Sequence, residues 1–287
     1  MTDMTSTTPP QIIRTLTELR AITRVWKRAG ETIGVVPTMG ALHDGHLSLA
    51  QAARNACDRV IVTIFVNPKQ FNNPDDLKNY PRTEHDDARK LESTGVDLIY
   101  VPDADQIYPE GFATSVTVSG LTDMLCGATR PGHFDGVATV VPKLFLQTGA
   151  DKAFFGEKDY QQLQIVRRLA QDLDIPIEVI GCPTIREEDG LAMSSRNLLL
   201  SDRSRVFAPI LAEVMEDLRV QLLDGAAMTE VGAQARARIL AAGFNDIDYL
   251  ELRDGTDLGL LNKTQPGARL FAAAWLAGVR LIDNIAV

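Results

Sequence analysis

The chain has 287 residues, of which 45% are hydrophobic and 23% charged, and its formal net charge is −9. That length suits about two domains, with a core that needs neither metal nor disulfide. The acidic balance argues against broad binding to nucleic acid or to an acidic membrane surface, but it leaves room for a locally positive site that takes a small anion.

Residues 1–10 are Thr-rich and polar, and they lack the apolar stretch of a secretory leader. No apolar run reaches the ~18 residues of a membrane span. Cys57, Cys126 and Cys182 lie far apart and form no Cys-x-x-Cys pair. They read as small buried side chains, not as disulfides or a zinc site, and a reducing cytoplasm is the simplest compartment.

From there to about residue 183, apolar runs alternate with helical patterns. The strand candidates are residues 33–36, 60–66, 98–101, 153–155 and 177–180. Between them lie helix candidates at 47–56, 84–93, 137–147 and 160–172. The run from Val60 to Val66 is β-branched and continuously apolar, as a central parallel strand buried on both faces should be. This alternation predicts an α/β fold with a Rossmann-like, doubly wound parallel sheet, whose ligands bind beyond the carboxyl ends of the strands. The pattern changes near Thr184. Residues 206–223 and 229–242 read as helices, 248–252, 268–275 and 280–285 as short strands, with turns at Asp254-Gly255 and Ala277-Gly278. A smaller α+β domain over 184–287 is therefore expected to follow a Rossmann-like ligand-binding domain over 1–183.

Five stretches could carry chemistry. In Pro37-Thr38-Met39-Gly40-Ala41-Leu42-His43-Asp44-Gly45-His46, two glycines and two histidines sit where a strand turns into a helix. A helix start offers free N–H groups and a positive dipole end, so this turn suits nucleotide phosphates. Zinc ligation by His43 and His46, or a purely structural helix cap, are the other readings. Asn67-Pro68-Lys69-Gln70-Phe71-Asn72 follows the central strand, and Gln70 can both donate and accept; a polar turn capped by Asn67 is the plain alternative. Between Gly127 and Gly136, Arg130 and His133 could face a substrate. In Phe155-Gly156-Glu157-Lys158-Asp159-Tyr160-Gln161-Gln162, Gly156 permits close approach, Lys158 brings a point charge and Asp159 could cap a helix. Met193-Ser194-Ser195-Arg196-Asn197 offers two hydroxyls and a guanidinium to phosphate oxygens, unless Ser195 caps a helix and Arg196 pairs with Glu187 or Glu188. Asp86 and Asp87 read as helix-dipole partners in a first turn, with a magnesium contact as a minor option.

Taken in order, these stretches resemble one family. His43-Asp44-Gly45-His46 is similar to the His-x-Gly-His signature of the nucleotidylyltransferase superfamily, and Met193-Ser194-Ser195-Arg196 to its second phosphate loop. The fuller wording of all five blocks resembles the pantothenate synthetase (pantoate–β-alanine ligase) family over nearly the whole chain. The one departure is Lys69, where the family often carries a hydrophobic residue, so the orientation of Lys69 is open. The resemblance implies condensation of (R)-pantoate with β-alanine, with ATP as co-substrate and Mg2+, giving pantothenate, AMP and pyrophosphate through a pantoyl-adenylate. It implies that Met39, Gly40, Ala41, Leu42, His43, Asp44, Gly45, His46, Gly156, Glu157, Lys158, Asp159, Ile185, Met193, Ser194, Ser195 and Arg196 surround ATP. Gln70 and Gln162 would hold pantoate, with Gln70 reaching towards β-alanine. His43, His46, Lys158, Ser194, Ser195 and Arg196 would carry the chemistry. A homodimer is implied as well; a cytoplasmic location with no nucleic-acid or membrane partner is expected from the composition, and no residue is singled out as a metal ligand. The rival readings are a nucleotidylyltransferase that keeps AMP on its product, for which Gln70 and Gln162 are not expected, and a non-catalytic nucleotide-binding regulator, which the presence of Lys158 and Arg196 disfavours.

Overall fold

The computed structural model describes residues 10–72 and 74–287; the polar tail over residues 1–9 lies outside the described residues. In chain order the first layer set runs β1 (Gln11–Ile13), α1 (Leu16–Arg28), β2 (Ile33–Thr38), α2 (Asp44–Ala56), β3 (Arg59–Ile64), α3 (Pro74–Asn79), α4 (Glu84–Leu91), β4 (Leu98–Tyr100), α5 (Ala104–Ile107), α6 (Cys126–Thr129), α7 (His133–Thr148), β5 (Lys152–Gly156), α8 (Tyr160–Asp172) and β6 (Glu178–Cys182). The strands form a six-stranded sheet in the order β1-β4-β3-β2-β5-β6, every neighbouring pair parallel. Both faces are covered, which explains the unbroken apolar strands. Ile33 and Val35 pack with Leu19 of α1 and Val137 of α7 on one face. Val36, Val60 and Val62 pack with Ala50 and Ala53 of α2 on the other. At Gly34 a β-carbon would sit 3.0 Å from Cys57 Sγ and 3.2 Å from Phe154, so the glycine lets α2 approach the sheet closely.

The chain order reverses between β2 and β5. The loops leaving β2, β3, β5 and β6 therefore converge at a topological switch point. The remaining chain forms α9 (Asp202–Arg205), α10 (Ile210–Leu223), α11 (Met228–Ala241), β7 (Asp246–Asp254), β8 (Leu260–Leu261), β9 (Ala268–Leu276) and β10 (Val279–Ala286). Its sheet has the order β10-β9-β7-β8 and is antiparallel, with Leu211, Leu218 and Ile239 of the two long helices packed on Leu252, Leu270 and Leu281. The β9–β10 hairpin turns at Ala277 and Gly278, both with positive φ (49° and 81°), the two-residue geometry expected of that dipeptide.

Some boundaries differ from the sequence expectation. β1 and α1 have no counterpart among the predicted elements. Their signal was Thr15-x-x-Glu18, a capping box in which Thr15 accepts from Glu18 N and Glu18 reaches back to Thr15 N. Helix α2 begins at Asp44, not at 47, because histidine side chains cap its first turn. Helix α7 begins at His133, not at 137, and α10 begins at Ile210 after the short α9.

Candidate active site

The four converging loops line a cleft of about 230 Å³. It is bounded by Met39, His43, Gly45 and His46 after β2, Asn67 and Gln70 after β3, Gly156, Lys158 and Asp159 after β5, and Ile185 after β6, with Met193 to Arg196 completing the rim. Gln162 on α8 joins them, as do Arg130 and His133. The wall behind the polar groups is apolar, from Val137, Val140, Val141 and Phe155.

His43 is the N-cap of α2. Its Nδ1 accepts from Gly45 N at 3.2 Å, while His46 Nδ1 accepts from His43 N at 3.3 Å. The two rings stand 4.1 Å apart. A ring nitrogen that accepts from a backbone N–H carries no proton, so both rings are Nε2–H tautomers whose donors remain for a ligand. Capping and phosphate contact, posed as rivals from sequence, are thus compatible. Burial, and next the charge of Lys158, lower the basicity of His43. Burial and the neighbouring His43 push His46 down to about 3. Both are neutral donors at pH 7.

Gln70 is buried and its amide orientation is fixed. Tyr108 OH donates to Asn67 Oδ1 at 2.7 Å, and Asn67 Nδ2 donates to Gln70 Oε1 at 3.0 Å and to Gly136 O at 3.1 Å. Gln70 Nε2 is left on the cleft side against Met39 Sδ. Gly136 is required there, since a β-carbon would lie 2.4 Å from Lys69 O. His133 Nδ1 donates to Gln70 O at 2.8 Å, and burial followed by Arg130 pushes that imidazole down to about 4. Lys69 turns away from the cleft, its Nζ 5.0 Å from the Tyr108 ring and 4.8 Å from that of Phe112, which resolves its orientation.

Lys158 and Arg196 form no ion pair among the described residues. Arg196 does not pair with Glu187, because Glu187 is taken by Arg205 at 2.5 Å and by Asn197 at 2.6 Å. Ser194, not Ser195, caps the turn that follows, accepting from Arg196 N at 3.2 Å. Asp159 occupies the N-cap position of α8 but makes no capping bond. Asp159 is exposed to solvent at the cleft; the protein packed around it works against its charge, yet Lys158 and then Arg196 outweigh that and hold the carboxyl below its usual range. Ile185 and Met193 are joined by Met193 N donating to Ile185 O at 3.0 Å.

Not every expected ATP neighbour lines the cleft. Gly40, Ala41, Leu42, Asp44 and Glu157 lie outside its lining. Leu42 is buried in the core because the loop folds it inward against α2. Glu157 accepts from Arg269 Nη2 at 3.1 Å, and Asn284 Nδ2 donates to the carbonyls of Glu157 and Lys158, so this segment is gripped by the antiparallel sheet. Sequence reasoning also missed Tyr108 and the true setting of Asp87. Asp86 pairs outward with Arg89, whereas Asp87 is fully buried against residues 41 and 42.

A family model described as pantoate-beta-alanine ligase matches residues 11–286. The pantothenate synthetase of Roseobacter denitrificans is 68% identical over 276 residues, which is 96% of this chain and 97% of that protein. A crystal structure of pantothenate synthetase from Thermus thermophilus superposes with a TM-score of 0.90 at 44% identity, covering 96% of this chain and 98% of that one. The pantoate-beta-alanine ligase of Francisella tularensis, complexed with beta-gamma ATP and beta-alanine, gives a TM-score of 0.82 at 34% identity over 96% and 97% of the two chains.

Proposed function

The chain belongs to the pantoate–β-alanine ligase family, and from that premise we propose how its cleft divides the work. The reaction is the ATP-dependent ligation of pantoate to β-alanine, and we place a pantoyl-adenylate on its path, with (R)-pantoate as substrate and pantothenate, AMP and pyrophosphate as products. The observation that carries the assignment is that two neutral Nε2–H imidazoles, and two cations that form no ion pair among the described residues, face the same cleft as Gln70 and Gln162.

Pantoate's carboxylate is ionised at pH 7, so its attack on the α-phosphorus needs no general base. It needs in-line alignment and stabilisation of charge on the departing pyrophosphate. Lys158 and Arg196 supply positive charge, Ser194 and Ser195 hydroxyl donors, and His43 and His46 their Nε2–H groups. Met39, Gly45, Gly156, Ile185 and Met193 form the rest of the nucleotide's surroundings. Because Gln70 Oε1 is committed to Asn67, its Nε2 offers donors to pantoate's oxygens; Gln162 offers a second amide. The wall of Val137, Val140 and Val141 suits pantoate's branched carbon. In the second step β-alanine's amine attacks the activated carbonyl and AMP leaves.

Asp159 is the one carboxylate among the described residues lining the cleft. Magnesium uses one or two carboxylates together with phosphate oxygens and water, so this donor set fits an ion carried in on ATP, where it would neutralise phosphate charge. We also assign residues 1–183 to the substrate-binding domain and 184–287 to a lid. Its hold on Glu157 and Lys158 couples lid position to the phosphate site and keeps water from the adenylate. Identical scattering profiles with and without ATP plus pantoate would count against a large closure. We propose assembly as a cytoplasmic homodimer, a reading that the family resemblance supports. No helix among the described residues is long and apolar enough to cross a membrane.

Omitting one substrate at a time tests the reading. AMP release is expected only with ATP, pantoate and β-alanine together at the steady state; AMP release independent of pantoate would overturn it.

A further inference from the structure

The loop between β2 and α2 must leave the sheet at Thr38 and deliver His43 in extended backbone, at φ −133° and ψ 175°. It does so through two successive left-handed residues, Gly40 at φ 83° and Ala41 at φ 52°. Glycine accepts that geometry freely; alanine does so only where its surroundings over-determine it. The surroundings are one face of α4. Asp87 has no exposed surface. Its Oδ2 accepts from Ala41 N at 2.9 Å and from Thr83 Oγ1 at 3.0 Å, and its Oδ1 accepts from Leu42 N at 2.8 Å. Lys90 Nζ donates to Leu42 O at 2.6 Å. Thr83, Asp87 and Lys90 follow the spacing that aligns side chains along one side of a helix. No ion pair of Asp87 forms among the described residues, so a buried charge is kept for N–H and O–H donors alone. Such burial is costly unless hydrogen bonds satisfy the group, and here they are spent on the two residues that precede His43.

We propose that Asp87 is a positioning residue for the first half-reaction, acting through the backbone of Ala41 and Leu42 to aim the Nε2–H groups of His43 and His46. This rests on the phosphate role given above to those histidines. The path is continuous. Leu42 is anchored at both its N–H and its carbonyl, His43 follows directly, and His43 N in turn orients the His46 ring. Releasing Ala41 and Leu42 turns both rings at once without touching the cations or the pantoate amides.

Asp87→Asn tests this, since it keeps the side-chain shape but can accept only one of the two N–H bonds. A misplacement near 1 Å costs about 10²-fold in rate, so single-turnover adenylate formation from ATP and pantoate is expected to fall by roughly that factor, with KM for β-alanine unchanged. A purely structural role would not move the second readout, the ring 15N signals of His43 and His46 in the ligand-free protein. Wild type is expected to show protonated Nε2 and bare Nδ1 in both rings, and the variant a mixture of tautomers. Lys90→Met, at an exposed position, removes the anchor on Leu42 O without burying a new polar group. It is expected to give a smaller change in the same direction even if Asp87→Asn fails to fold. A folded Asp87→Asn protein with wild-type adenylation and unchanged ring signals overturns the proposal, as does a Lys90→Met protein unchanged in both. Because the nitrogen signals are read without substrate, they still test the positioning of the rings if the ligase reading itself fails.

Discussion

Replacing Lys158 by alanine should slow catalysis sharply and leave the fold. The ammonium has no ion-pair or hydrogen-bond partner among the described residues, while the Lys158 carbonyl stays anchored to Asn284 Nδ2 at 2.9 Å. Truncation therefore orphans no buried group, and stability should change by no more than about 0.5 kcal/mol. The loss falls on the transition state, where charge builds on the pyrophosphate. Removing one such donor costs about 2.7–4 kcal/mol, or roughly 10²–10³-fold in rate. Arg196, which lines the same cleft, remains and accounts for residual activity. The assay is rapid-quench single turnover of ATP and pantoate without β-alanine, alongside thermal denaturation. An unchanged adenylation rate would refute the assigned role. A large drop in melting temperature would instead make Lys158 part of the scaffold.

Tyr108→Phe deletes the shorter of the two hydrogen bonds to Asn67 Oδ1, the other coming from Lys69 N at 3.3 Å, and so loosens the Asn67 amide and, through it, the Gln70 amide. One hydrogen bond of about 1 kcal/mol corresponds to a roughly five-fold rise in KM for pantoate, with KM for ATP unaltered; equal changes in both would contradict the relay. Stability should fall on acidification. His46 and His133 bind protons in the unfolded chain below about pH 6.5 but in the folded one only near 3 and 4. The unfolded state thus holds more protons between those limits, and unfolding free energy rises with pH there by up to about 1.4 kcal/mol per unit for each histidine. Chemical denaturation from pH 4 to 7 reads this slope, and His46→Gln with His133→Gln should flatten it.

The sheet was legible because its strands are buried on both faces and read as unbroken apolar runs, Val60 to Val66 most clearly. β1 was not, because three residues at an edge carry too little pattern, and α1 announced itself only through the Thr15–Glu18 capping box. Within the site, residues that line the cleft carry recognisable chemistry, and His43, Lys158 and Arg196 were named from it. Residues that act through others were hidden. Asp87 looked like any acid in a helix's first turn, and only the return of α4 beneath the loop of residues 40–42 distinguishes it from Asp86. The ion pair of Glu157 was hidden for a similar reason, since its partner Arg269 lies 112 residues away.

In this mechanism the cleft activates pantoate's carboxylate as an adenylate before β-alanine takes part. Pantoate-dependent exchange of labelled pyrophosphate into ATP, measured without β-alanine, tests it most directly. Exchange is expected to require pantoate and to fall by roughly 10²-fold or more in Lys158→Ala. Folded wild-type protein that forms pantothenate from all three substrates yet shows no such exchange and no adenylate on quenching would contradict it.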